Sequence, residues 1–401
     1  MAGPARRHAR VFIAVLVALL AVLGACNFLL DPFLAYRVVA IDALRPYRDK
    51  LHSRIAKAEI LGHEDCQVVI LGTSRAQIAL DPDHPAWGAP ACNLALTGMG
   101  VPELLGVLER VIREPEVREL VIALDIHSSA GDAALHEDFA RSRFDDRLQL
   151  VEYHGGLLFG EDATRASLGL VSDFFRGRVS PYSERGFTNP ALRGRPADRE
   201  SFLWALERTI GALRAPLRER SGDETALLSR LAADIRTAQA RGIAVTLVIL
   251  PVHAIFLETL QRCGKWPNRE RARETFMRSL TPEGGEPLVP VWDFTSYLGP
   301  AAEGVPAAGA AREMRWHWDA VHVKRELGDE VIAQIRSAAM PSHLSPGVRL
   351  TLDSLGAESE RLHQEREDYL RTHGAELALI DEASGTGGLL DKDFATGEKQ
   401  P

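Results

Sequence analysis

The chain has 401 residues, of which 46% are hydrophobic and 25% are charged, a composition typical of globular proteins. This length permits one to three domains with a large buried core. The formal net charge of −8 gives no basis for a nucleic-acid partner, and four cysteines are too few for a disulfide scaffold.

The amino terminus combines a basic segment with a long apolar run. Residues 1–10 are rich in arginine, and the 20 residues 11–30 carry no charge. Such a run is long enough to cross a bilayer as a helix. Basic residues before it and Asp31 after it favour a cytoplasmic amino terminus. We therefore expect a single-pass anchor in the inner (cytoplasmic) membrane, with the rest of the chain in the periplasm.

Two alternatives apply to this segment. The run could be a cleaved signal peptide, although no clear small-x-small cleavage site is followed by a polar start. Residues 23–26, Leu-Gly-Ala-Cys, also resemble a bacterial lipobox, which would make Cys26 a lipidated first residue. The apolar run continues past Cys26 to Leu30, which favours the uncleaved anchor.

A juxtamembrane connector, residues 31–62, precedes the first clear strand signal. Four apolar residues, 68–71, run into Gly72, Thr73 and Ser74. In open α/β sheets, ligands bind outside the carboxyl ends of the strands, so Ser74 occupies a position where chemistry often occurs. The alternative interpretation is that Ser74 only caps the following helix.

Four more short apolar runs follow, separated by segments with helical spacing. They cover residues 92–96, 117–124, 243–250 and 288–292. Strands that alternate with helices indicate parallel βαβ units. The sequence therefore predicts an α/β protein with a central, mostly parallel five-stranded sheet.

Two cysteines open the first two strand signals. If the strands that follow Cys66 and Cys92 are neighbours, the two thiols could pair in an oxidising compartment. Two buried free thiols are the equal alternative.

Two long segments carry no strand signal. Residues from about 131 to 221 are rich in arginine and aromatic side chains, and we expect a mostly helical insertion over the active edge of the sheet. Residues 341–401 predict a weakly packed charged helix followed by disorder.

A local acid–base pair precedes the last strong helix signal. Asp319 and His322 are three residues apart, and a carboxylate at this spacing can fix the tautomer of an imidazole that deprotonates a serine. A helix-capping or core role for His322 is the alternative. Trp316 and Trp318 flank the pair, where they could stack on a sugar ring or pack the last helix.

Taken together, these blocks resemble the SGNH (GDSL-like) hydrolase superfamily. The resemblance rests on Gly72-Thr73-Ser74, on residues 93–98 and on residues 319–322, and it spans about residues 60–340. It implies a three-layer α/β/α domain with a flavodoxin-like sheet over residues 63–340. It also implies that Ser74 is the nucleophile and that His322 and Asp319 complete a triad. The backbone N–H groups of Gly98 and Ser74 would form the oxyanion hole.

One block departs from the family pattern. SGNH hydrolases usually carry an asparagine after the third strand that completes the oxyanion hole, whereas this chain has Asp125-Ile126-His127-Ser128. Either His127 or Ser128 supplies the missing donor, or the chain resembles a divergent branch. That branch contains membrane-tethered SGNH-like proteins that modify envelope polymers, as in alginate O-acetylation and teichoic-acid D-alanylation.

The resemblance implies acyl-ester chemistry, as an O-acyltransferase or esterase, on a cell-envelope glycan or lipid. The alternative is a non-catalytic scaffold or binding component of a polysaccharide modification or export complex, with other membrane proteins as partners. Further candidates for substrate contact are His127, His253, Trp316 and Trp318; a packed loop position is the alternative for His253. No metal-ligand or nucleotide-binding motif occurs, so we expect neither a metal nor a cofactor.

Overall fold

The computed structural model describes residues 3–39, 41–125, 135–194, 196–214, 224–337 and 340–385. The chain forms two compact units. We call residues 1–63 with 136–193 the anchor unit, and residues 64–135 with 194–401 the sheet unit.

The described residues are mainly helical, with six short strands. The α-helices are, in chain order, α1 (Gly3–Leu30), α2 (Arg54–His63), α3 (Ser74–Ala79), α4 (Val101–Ile112), α5 (Leu150–Phe159), α6 (Glu161–Arg176), α7 (Arg199–Arg214), α8 (Glu224–Ala240), α9 (Ala254–Arg262), α10 (Trp266–Leu280), α11 (Arg325–Ser337), α12 (Leu355–Thr372) and α13 (Gly374–Ala383). The strands are β1 (Val68–Leu71), β2 (Ala91–Asn93), β3 (Glu119–Ala123), β4 (Ala244–Ile249), β5 (Val291–Asp293) and β6 (Val348–Arg349).

Helix α1 contains the apolar run of the amino terminus. Its segment Arg6–Leu30 is long and apolar enough, by length and composition, to cross a membrane. The prediction of one such helix is therefore confirmed. Cys26 lies exposed within the unbroken helix, in its last two turns.

The last turns of α1 are built into the anchor unit. The side-chain amide of Asn27 donates to the carbonyl oxygen of Leu158 (2.8 Å) and to the hydroxyl of Thr164 (3.2 Å). A buried amide needs such partners, since an unpaired one costs about 1–3 kcal/mol. Phe33 and Leu157 then join one apolar cluster, so α1 continues directly into the core of this unit.

The predicted insertion is divided between the two units. Residues 136–193, with α5 and α6, pack in the anchor unit with α1 and α2, whereas α7 belongs to the sheet unit. Apolar contacts explain the first assignment: Tyr153 and Leu157 of α5 lie in one cluster with Ile55 of α2. A continuous insertion over residues 131–221 is therefore not what the structure describes.

The sheet unit is an α/β fold with a mixed six-stranded sheet in the order β2-β1-β3-β4-β5-β6. The first five strands are parallel and lie at the five predicted positions. β6 pairs antiparallel with β5 at the edge, which adds a sixth strand to the five expected. It has two residues within the predicted tail, too few to give a sequence signal.

Helices cover both faces of the sheet. Val68 and Ile70 of β1 pack with α3 and with Leu327 and Val331 of α11. The crossover from β1 to β2 runs toward one edge of the sheet, whereas the crossovers from β2 to β3 and from β3 to β4 run toward the other edge. Because such crossovers are right-handed, α4 and α8 lie on the face opposite to α3. These two helices contact each other there. The sheet unit is therefore doubly wound.

Helix α11 approaches α3 very closely at Gly328. A Cβ at this position would lie 1.8 Å from the carbonyl oxygen of Ala79, a separation no side chain can adopt. The two helices can pack in this register only because residue 328 is glycine.

The carboxyl-terminal helices are better packed than expected. Leu362 and Tyr369 of α12 and Leu379 and Ile380 of α13 are buried in the cluster that includes α7 and α9. Leu362 and Tyr369 are seven residues apart and are surrounded in sequence by charged residues. Their apolar face is therefore too narrow to give a clear pattern in the sequence. Residues 386–401, where disorder was expected, lie outside the described residues.

Cys66 and Cys92 form a disulfide. Cys92 lies on β2 opposite Val69 of the neighbouring strand β1, and Cys66 precedes β1. The Cα atoms are 5.4 Å apart, within the usual range for a disulfide. The adjacency of the strands is what allows the pairing considered from the sequence.

We expect the double substitution Cys66→Ala/Cys92→Ala to lower the free energy of unfolding of the sheet unit by about 3 kcal/mol. The bond closes a loop with a sequence separation of 26, and cross-links of that size restrict the unfolded chain by roughly this amount. Denaturant titration with and without reductant measures the effect. Wild-type protein in reductant should approach the variant; an unchanged midpoint in both would contradict the prediction.

Gly328→Ala should lower the free energy of unfolding by about 3 kcal/mol or more, because the added methyl group overpacks the contact between α3 and α11. The matched control is Gly356→Ala in α12, where a Cβ meets no atom within 4 Å. In an open helical position this exchange is favourable by up to about 1 kcal/mol. Equal changes in thermal midpoint for the two variants would contradict the packing argument.

Candidate active site

Ser74 is presented by a tight connection between β1 and α3. Gly72 has φ +149°, and a Cβ there would lie 2.9 Å from the carbonyl oxygen of Ala123 on β3. Only glycine fits this turn without displacing the neighbouring strand. Ser74 therefore begins α3 directly at the carboxyl end of β1, and its side chain is half-buried.

Three predicted side chains form one hydrogen-bonded chain. The hydroxyl of Ser74 lies 2.9 Å from Nε2 of His322. Nδ1 of His322 lies 2.9 Å from each carboxylate oxygen of Asp319. With Nδ1 protonated toward the carboxylate, Nε2 is left as an acceptor for the serine proton. This is the hydrogen-bond pattern of a Ser-His-Asp triad.

The loop before α11 fixes the acid and the imidazole. Oδ1 of Asp319 accepts the backbone N–H groups of Val321 and His322, each at 2.9 Å. The backbone N–H of Trp318 donates to the carbonyl oxygen of His322 (2.9 Å). Asp319 is fully buried, whereas the side chain of His322 keeps 18% exposure. The carboxylate therefore holds the loop as well as the ring.

A second carboxylate, not recognised from the sequence, anchors the same loop. Glu303 accepts the backbone N–H groups of Arg315 and Trp316 and lies 3.1 Å from Nδ1 of His317. Burial of Glu303 raises its pKa, but the bonds from His317 and the backbone outweigh burial and lower it. Glu303 thus remains ionised and tethers the start of the loop. Its distance of 14 residues from His317 gave no sequence signal.

Asp125 lies on the other side of the nucleophile. Its carboxylate accepts the hydroxyl of Thr73 (2.6 Å) and pairs with the guanidinium of Arg75 (3.1 Å). That guanidinium also lies 5.0 Å from the ring centroid of Phe256. Strand β1 lies between β2 and β3, and the connections from these strands run to opposite sides of the sheet. The carboxyl ends of β1 and β3 therefore form the topological switch point, where doubly wound sheets bind ligands.

The loop after β2 lies beside the end of β1. The backbone N–H of Leu96 donates to the carbonyl oxygen of Gly72 (2.8 Å), and Thr97 donates to Gln77 of α3 (3.1 Å). Gly98 follows in a turn with φ +68°. Within the described residues, the backbone N–H groups of Gly98 and Ser74 make no hydrogen bond. Both remain available as donors.

The other predicted substrate contacts are placed differently. His127 and Ser128 lie outside the described residues. His253 is fully buried: Nδ1 accepts the backbone N–H of Ile255 (3.2 Å) and Nε2 donates to the carbonyl oxygen of Glu303 (2.7 Å). Because both ring nitrogens are occupied and no surface is exposed, His253 is a packed structural residue in this fold, in place of the expected substrate contact.

Of the two tryptophans, Trp318 is buried in the core and Trp316 is half-buried at its edge. Trp318 is 8% exposed, and the ammonium of Lys324 lies 4.7 Å from its ring centroid. Trp316 packs against the cluster that contains α11, with the guanidinium of Arg315 at 4.2 Å. Trp318 therefore packs as the alternative interpretation describes, whereas the exposed part of Trp316 leaves its predicted contact with a sugar ring a prediction. Among the described residues, no group of three His, Cys, Asp or Glu side chains could hold a metal ion.

No protein-family model matches this sequence, and no curated protein matches it either.

Protonation of His253 should contribute to acid destabilisation. Burial and the nearby His317 lower its pKa from 6.5 to about 3 in the folded protein. The neutral ring therefore stabilises the fold fully above pH 6.5, and this contribution is lost as the pH falls toward 3. Between pH 6.5 and about pH 5 the loss is about 2 kcal/mol.

Denaturant unfolding at a series of pH values, followed by tryptophan fluorescence, measures this dependence. The slope of the unfolding free energy against pH gives the number of protons taken up on unfolding. In His253→Asn, whose side chain can still cap α9, this number should be about one lower near pH 5.5. An unchanged slope in that variant would contradict the assignment.

Proposed function

We propose that this protein is a membrane-tethered serine esterase or O-acyltransferase of SGNH type that acts on an envelope glycan or lipid. The observation that carries the proposal is the hydrogen-bonded chain from Ser74 through His322 to Asp319. Its position at the switch point of a doubly wound sheet, in the order β2-β1-β3-β4-β5, supports the same assignment.

In the proposed first step, Nε2 of His322 takes the proton of the Ser74 hydroxyl while the Ser74 oxygen attacks an acyl carbonyl. Asp319 keeps Nδ1 protonated and stabilises the imidazolium that forms. The imidazolium then protonates the leaving alcohol, and an acyl-enzyme remains on Ser74. Attack by water completes an esterase cycle, and attack by a sugar hydroxyl completes a transferase cycle.

The oxyanion of the tetrahedral intermediate needs hydrogen-bond donors. The backbone N–H groups of Ser74 and Gly98 are available for this role, one at the start of α3 and one in the loop beside it. The carboxylate of Asp125 cannot serve as a donor, and it is already engaged by Thr73 and Arg75.

Two features support an envelope substrate. Helix α1 is long and apolar enough to hold the chain at a membrane. The Cys66–Cys92 disulfide suits an oxidising compartment, which favours a sheet unit in the periplasm over one in the cytoplasm. An enzyme held at that surface would meet envelope glycans and lipids.

The proposal predicts that a serine-reactive fluorophosphonate labels Ser74 in the full-length protein in detergent. Ser74→Ala should abolish the adduct, and His322→Ala should slow labelling by ~10³-fold or more because the base is lost. The matched control is Ser354→Ala, which removes another serine at the start of a helix. Adduct mapping by mass spectrometry gives the site.

Turnover of p-nitrophenyl acetate in the same preparations extends this test. Asp319→Asn should lower kcat by ~10⁴-fold with little change in KM, since the wrong imidazole tautomer is favoured. A folded protein without adduct or turnover would overturn the proposal. Preservation of the cellular phenotype in Ser74→Ala would then favour the non-catalytic scaffold.

A further inference from the structure

A set of large apolar side chains is exposed on the helical pair α5–α6 of the anchor unit. On α5, Val151 is 85% exposed, Leu150 63% and Phe159 49%; on α6, Leu168 is 66% exposed. Exposed large apolar side chains of this kind call for an explanation by a covering partner, and Phe159 at the end of α5 is the one whose surroundings are clearest. The contacts of α5 indicate what covers Phe159.

Helix α5 contacts α1 within its membrane-spanning segment. The ring of Phe159 rests on Gly24, where an added Cβ would lie 2.8 Å from the ring. One turn later along α1, Asn27 donates to the carbonyl oxygen of Leu158. Gly24 precedes Leu30 by six residues, so Phe159 lies about 9 Å inside the end of the span.

The direction of α5 shows which of its ends points into the bilayer. Phe159 at its carboxyl end contacts Gly24 of α1, whereas His154, five residues earlier, lies 3.3 Å from the hydroxyl of Tyr36, whose ring centroid is 4.8 Å from that of Phe28 of α1. The two helices therefore run in opposite directions. The connection from α5 to α6 is the part of the pair nearest the centre of the membrane.

The polarity of this connection fits the boundary between headgroups and acyl chains. Residues 153–160, Tyr-His-Gly-Gly-Leu-Leu-Phe-Gly, contain no acidic residue, lysine or arginine. Glu161 and Asp162 follow, paired with Arg165 and Arg141. Apolar residues on one side and paired charges on the other are typical of helices that enter the interface by about 5–10 Å.

We propose that the end of α5, residues 156–160, is a second membrane contact that inserts into the leaflet from which the carboxyl end of α1 emerges. Its partner is lipid: the outer ends of the acyl chains cover Phe159. Glu161 and Asp162 lie at nearly the same depth, where Arg165 and Arg141 neutralise them, so the tip reaches only the boundary between headgroups and acyl chains. The anchor unit is thereby held to the bilayer surface at two points, α1 and the α5 end, which fixes its orientation where a single helix would leave it free to rotate.

Nitroxide labels on the full-length protein in nanodiscs test the depth of α5. Exposed Cys26 is replaced by serine, and buried Cys263 and the disulfide are retained. Single cysteines are then placed by Phe159→Cys and Val151→Cys. Val22→Cys on α1 gives the lipid reference, and Leu192→Cys, an exposed leucine of the same unit, gives the water reference.

We expect the Phe159 label to collide with oxygen and to lose collisions with a water-soluble nickel complex, as the Val22 label does. The Val151 label should lie shallower, because it is about 12 Å farther along α5. The Leu192 label should remain open to nickel.

Three results would overturn the proposal. The first is nickel access at Phe159 with a lipid-like Val22. The second is nickel access at Val22 itself, since α1 would then lie outside the bilayer. The third is protection of Phe159 only in discs that hold two chains, which would make a second copy the partner. Loss of esterase activity does not enter this test, so it is independent of the proposed function.

Discussion

The hydrogen bond between Ser74 and His322 joins residues 248 positions apart, and its geometry depends on how closely two helices pack. Ser74 begins α3 and His322 lies three residues before the start of α11, so the contact between these helices sets the separation of the two side chains. That contact has no room for a side chain at Gly328, where a Cβ would meet the carbonyl oxygen of Ala79. On the other side, Gly72 sets the direction in which the chain enters α3. The candidate site is thus a consequence of the layer that buries one face of the sheet.

The sequence predicts those parts of the site that lie next to a strong local pattern. The strand before Ser74 is a continuous apolar run, and Asp319 and His322 are close enough in sequence to be recognised as a pair. The contacts of Glu303 and Asp125 could not be predicted, because they depend on loops that approach each other only in the folded chain. The tight packing of α12 and α13 could not be predicted either, because their few buried side chains lie among charged residues in the sequence. The packing of residues 136–193 with the amino terminus likewise depends on contacts between segments that are distant in sequence.

The carboxyl end of the amino-terminal helix is built into a folded unit. Within an otherwise apolar run, Asn27 is buried and finds its partners on α5 and α6, and Asp31 at the end of α1 accepts the backbone N–H groups of residues 35–37. A polar side chain in such an apolar segment is costly without partners of this kind. Helix α1 is thus part of one folded unit with α5 and α6, and its removal would leave the carbonyl oxygen of Leu158 and the hydroxyl of Thr164 without the amide of Asn27.

Asp125 determines what the proposed chemistry can achieve. A carboxylate beside a developing oxyanion would oppose the formation of that oxyanion. The ion pair with Arg75 offsets the negative charge of Asp125. The hydrogen bond from Thr73 to the same carboxylate stabilises the turn before Ser74. The hole would then depend on two backbone donors, and a missing donor costs ~10²–10³ in rate. Attachment to a membrane increases encounters with a membrane-bound substrate but leaves the chemical step unchanged. In the proposed mechanism the deficit should therefore appear in kcat.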